Sequence, residues 1–244
     1  MTPTEWLKSE AARSQPCVPV EVMRANAAHV RTLGLPSVEY AGHVAVVGGG
    51  PSLADHLDEL RAWNGPIWAI NATWAWLKEQ GVKATFFTID PKPQPSIRLQ
   101  RGDSALVASV GCAELFASLR AGNVRTFDIA FDVADGVQTG VTSATATPHL
   151  AVKMGHASVT FFGCDGSFEG HDAYVYPADM PADLVVVDVG GRGYATKPEF
   201  IMQAEDLAAF CRDLPTVCRN RSGGLLAALI ENPEWELVAM KERT

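Results

Sequence analysis

The chain has 244 residues, 47% of them hydrophobic and 20% charged, with a formal net charge of −8. That length buries a sizeable core, and the acidic balance excludes a nucleic-acid backbone as a partner for the protein as a whole, although a local anion pocket needs only a few donors. Five cysteines contain no C-x-x-C pair, the opening "MTPTEWLKSEAARSQP" lacks the apolar core of a signal peptide, and no apolar run is long enough to span a bilayer, so the expectation is a cytoplasmic protein without a disulfide framework or a structural zinc site.

In chain order, residues 4–32 read as helical, split by Pro16 and Pro19. "LGLPSVEYAG" follows as a connector. Residues 1–42 therefore form a helical leader, an appendage available for homo-oligomer contacts. From His43 the pattern alternates. "VAVV" (44–47) has the continuous apolar character of a buried parallel strand. "SLADHLDELRAW" has helical spacing with Ser52 placed to cap it. "IWAI" (67–70), "TFFTI" (85–89), "ALVAS" (105–109), "VRTFDI" (124–129) and "SVTFFG" (158–163) repeat the strand pattern. The helices "ATWAWLKEQG", "CAELFASLRAG" and "SATATPHLAVKMG" lie between them, each ended by glycine. Residues 164–184 loosen into an Asp-, Gly- and Pro-rich excursion, followed by "VVVDVGG" as a strand, "KPEFIMQAEDLAAFCRDL" as a helix and "TVCRN" as a last short strand. The expected fold class is α/β: a Rossmann-like, mostly parallel doubly wound sheet over residues 43–244, with a helical N-terminal leader.

"GGGPS" (48–52) ends a strand and opens a helix. Glycines there permit positive φ, let backbone N–H groups approach an anion and aim a helix N-terminus at it. A ligand-free turn is the plain alternative. A nicotinamide or flavin site requires G-x-G-x-x-G and an acid after the second strand. Here Leu53 stands at the third glycine position and Asn71 at the acid, so a redox dinucleotide is disfavoured. No Walker lysine follows, which disfavours a P-loop. Asn71 offers a carboxamide to a base, ribose or phosphate, or else caps the helix after it.

Ligands of open α/β sheets collect outside the carboxyl ends of the strands. That rim gathers Gly48, Gly49, Gly50, Pro51, Ser52, Asn71, Asp90, Thr142, Ser143, Asp165 and His171. Glycine amides and hydroxyls suit phosphates, an Asp suits a metal or a sugar hydroxyl, and a His suits proton transfer. Taken singly, each has a structural alternative as a cap or turn residue. The four tryptophans Trp63, Trp68, Trp74 and Trp76 read as core, with Trp74 near enough to Asn71 to border a base.

In order, "VVGGGPSL", "AINATW", "ATFFTIDPKP", "TGVTSATATPHLAVKMG", "VTFFGCDGSF" and "HDAY" resemble the MptE-like family, which includes 6-hydroxymethylpterin pyrophosphokinases and motility accessory factors. That family is similar to the bacterial family-42 sialyltransferases. The resemblance covers about residues 40–230 and implies a nucleotide-dependent transferase with one of two chemistries. The sialyltransferase-like type implies a CMP-activated sugar. Gly48, Gly50, Pro51, Ser52 and Asn71 would then contact the nucleotide, Thr142 and Ser143 its phosphate or ribose, Asp165 the donor, and His171 the acceptor hydroxyl as general base. Those enzymes carry glycine where Ala144 stands here. The pyrophosphokinase type implies ATP, Mg²⁺ and a hydroxymethylpterin-like alcohol. Its members carry two acids after the third strand, where this chain has Asp90 alone. A non-catalytic nucleotide- or sugar-binding protein is the reading from another class. Acceptor contacts are expected from loops 91–104 and 164–195.

Overall fold

The computed structural model describes residues 5, 18–32, 42–94, 96–130, 135–169, 174–178, 180 and 184–240. The expectations for residues 6–17, the connector 33–41 and His171 lie outside the described residues.

Seven strands form one parallel sheet: β1 (Gly42–Val47), β2 (Ile67–Ile70), β3 (Thr85–Thr88), β4 (Ser104–Ala108), β5 (Asn123–Phe127), β6 (His156–Phe162) and β9 (Cys218–Asn220). Their spatial order is β5-β4-β3-β2-β1-β6-β9, and every pairing in it is parallel. The chain steps outward from β1 to β5, then crosses back to lay β6 on the other side of β1. The strand order thus reverses between β1 and β6, the position at which ligands of open α/β sheets collect.

The alternation of side chains along a strand divides the core in two. Val44 and Val46 face one cluster with Trp68, Phe87, Leu106 and Phe161. Ala45 and Val47 face the other with Phe86, Val107 and Phe162. The second cluster takes Leu60 of α2 (Leu57–Arg61), Leu77 of α3 (Thr73–Glu79) and Leu115 of α4 (Ala113–Leu119). The first takes Leu150 of α5 (Ser143–Lys153), Leu207 of α6 (Pro198–Asp213) and Leu226 of α7 (Gly224–Glu231). Helices therefore cover both faces, as an all-parallel sheet requires. Helix α1 (Val20–Thr32) buries Ala27 and Val30 and fixes Asn26, whose Nδ2 donates to the Val110 carbonyl at 2.9 Å.

Three features depart from the sequence reading, and the first is helix α7 (Gly224–Glu231), which follows the last element read there. A 3-10 turn (Pro51–His56) precedes α2, so the first crossover is not one continuous helix. A second sheet also forms, in the order β10-β7-β8, from β7 (Val185–Val189), β8 (Arg192–Thr196) and β10 (Glu236–Met240). Its pairings are antiparallel, and Val185, Val187 and Val189 turn their alternate faces into the α6–α7 side of the core. Strands β8 and β10 escaped notice because both are short and largely polar or exposed. No described helix is long and apolar enough to cross a membrane.

Candidate functional site

The glycine loop is bolted to the end of β6. Gly48 N–H donates to the Phe162 carbonyl at 2.8 Å and Gly50 N–H to the Gly163 carbonyl at 2.7 Å. Ser52 N–H donates to Asp165 Oδ2 at 2.9 Å, and the Ser52 hydroxyl donates to Asp165 Oδ1. From α7, Gly223 N–H reaches Ser52 Oγ at 3.0 Å and Asp165 Oδ1 at 3.1 Å. One carboxylate, 4% exposed, thus ties together the first crossover, β6 and the start of α7. Burial pushes the Asp165 carboxyl above its usual range, and the Ser52 and Gly223 donors pull it back.

This geometry explains the glycines differently from the anion-cradle expectation. None of Gly48, Gly49 and Gly50 has positive φ. A Cβ on Gly48 would stand 2.5 Å from the Gly163 oxygen, and one on Gly50 would stand 2.6 Å from the Asp165 carboxylate. The loop needs glycine for close approach, and two of its amides are spent on β6. Ser52 makes no helix cap. Leu53, at the position where a dinucleotide fingerprint wants glycine, is fully buried in the core.

The β2 side of the loop is built differently. Asn71, at the end of β2, sits in the left-handed region at φ 50. Its N–H donates to the Phe87 carbonyl at 3.0 Å and its carbonyl accepts from Trp74 N–H at 3.2 Å. The side chain does not cap α3, whose N-cap is Ala72. Its Oδ1 is closed to solvent, and no donor among the described residues reaches it. A desolvated acceptor on a strained backbone is costly, and such sites cluster where ligands bind. Trp74 is core: it is 4% exposed, and its indole N–H donates to the Ala84 carbonyl at 3.1 Å.

Over this mouth lies the segment 174–178. Val175 N–H donates to the Gly49 carbonyl at 2.9 Å. Burial pushes the Tyr176 phenol up, and the neighbouring Thr73 hydroxyl, itself buried, pulls it back. A Cβ on Gly49 would meet the Tyr176 ring at 2.7 Å. Tyr176 stacks on Tyr174 with centroids 5.1 Å apart and planes 3° from parallel. Tyr174 meets Phe168 edge-on at 6.1 Å. Burial, then the neighbouring Tyr176 and the Glu199 charge, push the Tyr174 phenol up to about 12.

Asp90, Thr142 and Ser143 form a neighbouring group. Asp90 Oδ1 accepts from Lys92 N–H at 3.0 Å and Oδ2 from Gln94 Nε2 at 3.1 Å. Ser143 Oγ accepts from Ile89 N–H at 3.3 Å, joining α5 to the end of β3. Thr142 caps α5 in a capping box with Thr145 and donates to Gln203 Oε1 at 2.9 Å. Pro51 opens the 3-10 turn. Among the described residues no group of three or more His, Cys, Asp or Glu assembles to hold a metal.

The structure joins Ser52 to Asp165 directly and Ser143 to Ile89, the residue before Asp90. Sequence reasoning missed Thr73, Tyr174, Tyr176 and Gly223. The i, i+2 spacing of Tyr174 and Tyr176 was the available signal, because it puts two aromatics on one side of an extended segment. Thr73 was hidden inside an apparent helix, and nothing in "SGG" (222–224) announces a carboxylate partner.

Comparison with known proteins gives a family and a fold. No curated protein sequence matches the chain. The chain is similar in structure to the MAf glycosyltransferase from Magnetospirillum magneticum AMB-1, with a TM-score of 0.58 and 14% sequence identity. That similarity covers 84% of this chain and 36% of the other, so this chain spans about a third of the larger protein's length. At this identity the likeness is one of fold. The sequence model of the family described as "6-hydroxymethylpterin diphosphokinase MptE-like" matches residues 25–171. That match spans more than half of the chain, and the chain belongs to the MptE-like family.

Proposed function

We propose that the chain is a nucleotide-dependent transferase that moves a glycosyl group of the nonulosonic-acid type from a CMP-activated sugar to an acceptor hydroxyl. The observation that carries this reading is Asn71. Its left-handed backbone holds a desolvated Oδ1 at the carboxyl end of β2, beside the switch point of the sheet. An exocyclic base amine or a ribose hydroxyl supplies the donor that this oxygen lacks. Gly49, Thr73 and Tyr176 line the same mouth. The N-terminus of α5, with Thr142 and Ser143, gives a favourable field for the phosphate.

In the proposed step the donor's bond from anomeric carbon to phosphate oxygen breaks and CMP leaves. The acceptor oxygen bonds to that carbon and gives its proton to a base. His171 is the proposed base by its position in the sequence. Asp165 acts on the donor by fixing the loop that borders it, since Ser52 and Gly223 already occupy its oxygens.

A second reading is ATP-dependent diphosphoryl transfer to a hydroxymethylpterin-like alcohol, favoured by the description of the matching family. Mg²⁺ would then be carried in on the nucleotide phosphates. Thermal-shift titration with CMP, CTP, ATP, GDP, UDP and NAD, with and without Mg²⁺, tests both. Saturation at about 100 times the dissociation constant adds about 2.7 kcal/mol. Stabilisation by CMP or CTP without a metal requirement, lost in Asn71→Ala, is the expected result. An Mg²⁺-dependent preference for ATP transfers the case to the diphosphokinase. No shift with any nucleotide refutes nucleotide binding. Binding without turnover, unchanged by His171→Ala, would make the chain a binding protein.

A further inference from the structure

A buried side chain of α6 is tied to the start of α5. Gln203 is 7% exposed, and its Oε1 accepts from the Thr142 hydroxyl at 2.9 Å. That is the only hydrogen bond of this side chain among the described residues, so Nε2 has no acceptor there. Buried amides ordinarily bond through both ends. The first turn of α5 is unfinished in the same sense. Thr142 and Thr145 satisfy each other through the capping box, at 3.1 Å and 3.4 Å. The Ser143 and Ala144 N–H groups find no acceptor among the described residues, as at any helix start without a further cap. Ser143 Oγ accepts from Ile89 N–H at 3.3 Å, which leaves its own O–H to donate.

The same stretch of α6 borders the loop after β6. Ala204, the next residue, is so close to Gly166 that a Cβ on the glycine would stand 2.9 Å from the alanine Cβ. Gly166 follows Asp165, so Gln203 stands between that loop and the cap of α5. Two carboxylates lie one turn to either side on α6, and both act elsewhere, Glu199 on the Tyr174 phenol and Asp206 on His149. The group that α6 presents to the cap is therefore a neutral amide with its donor end unspent.

We infer that Gln203 is a phosphate-contacting residue: its Nε2 donates to a non-bridging oxygen of a nucleotide phosphate seated over the first turn of α5. A helix N-terminus favours an anion. The unspent donors there are the Ser143 and Ala144 N–H groups, the Ser143 hydroxyl and Gln203 Nε2, all on residues linked through Thr142. A bond from such a donor to a phosphate oxygen is charge-assisted and stronger than one between neutral groups. The Thr142 hydroxyl also fixes the amide's sense, because turning the acceptor end toward the phosphate would break the bond to Oε1. This inference deepens the nucleotide-transfer reading and rests on it for the nucleoside; a phosphate is common to both transfer chemistries.

The test is isothermal titration calorimetry of the full chain with CMP against cytidine, ATP with Mg²⁺ against adenosine, and pyrophosphate. Each pair shares a nucleoside and differs in phosphate. Gln203→Met keeps the length and removes the amide; it is expected to weaken the nucleotide by about tenfold or more, the loss of one charge-assisted bond, and to leave the nucleoside unchanged. Gln203→Glu keeps an acceptor for Thr142 and turns the donor end into a second acceptor, so it gives the same phosphate-specific loss. That variant carries the test if the methionine variant fails to fold. A loss shared equally by nucleotide and nucleoside, or nucleotide binding within about twofold of wild type in both variants, makes Gln203 a holder of the cap alone and overturns the inference while the nucleotide reading stands. Where wild type binds neither CMP nor ATP, pyrophosphate separates the two failures. Gln203-dependent pyrophosphate binding then upholds the phosphate contact and removes the nucleoside, and no pyrophosphate binding overturns both.

Discussion

Gly49 and Gly50 are adjacent in sequence, yet an added methyl group meets very different surroundings at each. At Gly50 it would stand 2.6 Å from the Asp165 carboxylate and 2.8 Å from the Gly163 carbonyl oxygen. Ordinary contact begins near 3.4 Å, so one of these groups must retreat by most of an ångström. The carbonyl is backbone, and the carboxylate is held by Ser52 and Gly223. Overpacking costs about 1–3 kcal/mol, and weakening one hydrogen bond to a charged group adds about 1.5–3 kcal/mol. Gly50→Ala should therefore destabilise by about 3 kcal/mol or more. In a chain of this size that lowers the melting temperature by roughly 6–12 °C. At Gly49 the obstacles are side-chain atoms, the Tyr176 ring at 2.7 Å and Thr73 Oγ1 at 3.0 Å, which can give way by rotation where backbone cannot. That costs about 0.5–1.5 kcal/mol. Thermal unfolding followed by circular dichroism compares the two. If Gly50→Ala melts within a degree or two of wild type, or if Gly49→Ala is the worse variant, the loop is not seated against β6 as described.

The remaining predictions concern single groups. Asp165→Asn should cost about 1–3 kcal/mol by setting an amide N–H₂ against N–H donors. The native carboxyl lies above its ordinary 3.8, so its stabilising protonation is complete below 3.8 and is lost as pH rises through the raised value. The gap between wild type and Asp165→Asn in urea titrations should thus be widest in acid and narrow toward neutrality, and a gap that widens instead would reverse the sign assigned here. Asn71→Gly relieves a positive φ of 50 and deletes the stranded oxygen. It should leave the ligand-free protein as stable or up to about 1 kcal/mol more stable while removing the nucleotide-induced shift, and a retained shift would separate Asn71 from the ligand. Among the four described cysteines, burial raises Cys164 and Cys211 to about 12 and Cys218 to about 11, while Cys112 is less enclosed. Iodoacetamide should therefore alkylate Cys112 before Cys164, Cys211 and Cys218 in native protein, as peptide mass spectrometry would read.

What the sequence reveals of this fold follows physical legibility. A fully buried parallel strand is a continuous apolar run, so β1, β2, β3, β4, β5 and β6 stand out within a residue or two of their observed ends. Strand β8 reads "RGYAT" and β10 "ELVAM", and neither has a pattern that exceeds its loop background. Their sheet exists because β7 offers both of its edges, a fact of tertiary pairing. The break between Pro51–His56 and α2 is equally invisible, because a 3-10 turn and an α-helix share nearly the same apolar spacing over so few residues.

At the site the same logic separates position from partnership. Topology dictates that residues following strands share a rim, and Gly48 to Ser52, Asn71 and Asp165 do follow them. Whether a given rim residue faces a ligand or another rim residue depends on distances that spacing alone does not encode. Asp165 and Ser52 are 113 positions apart and satisfy each other, with Gly223 completing the set. Asn71 follows a strand in the same way and finds no such partner for Oδ1 among the described residues. The rim is thus divided at Gly49: the β6 side is closed by hydrogen bonds of the chain to itself, and the β2 side carries the unsatisfied acceptor under the Tyr176 ring. A ligand gains most where the fold has left a polar group unpaired, and on this rim that is the β2 side. The glycine run marks the position of both sides, but its own chemistry serves the closed one.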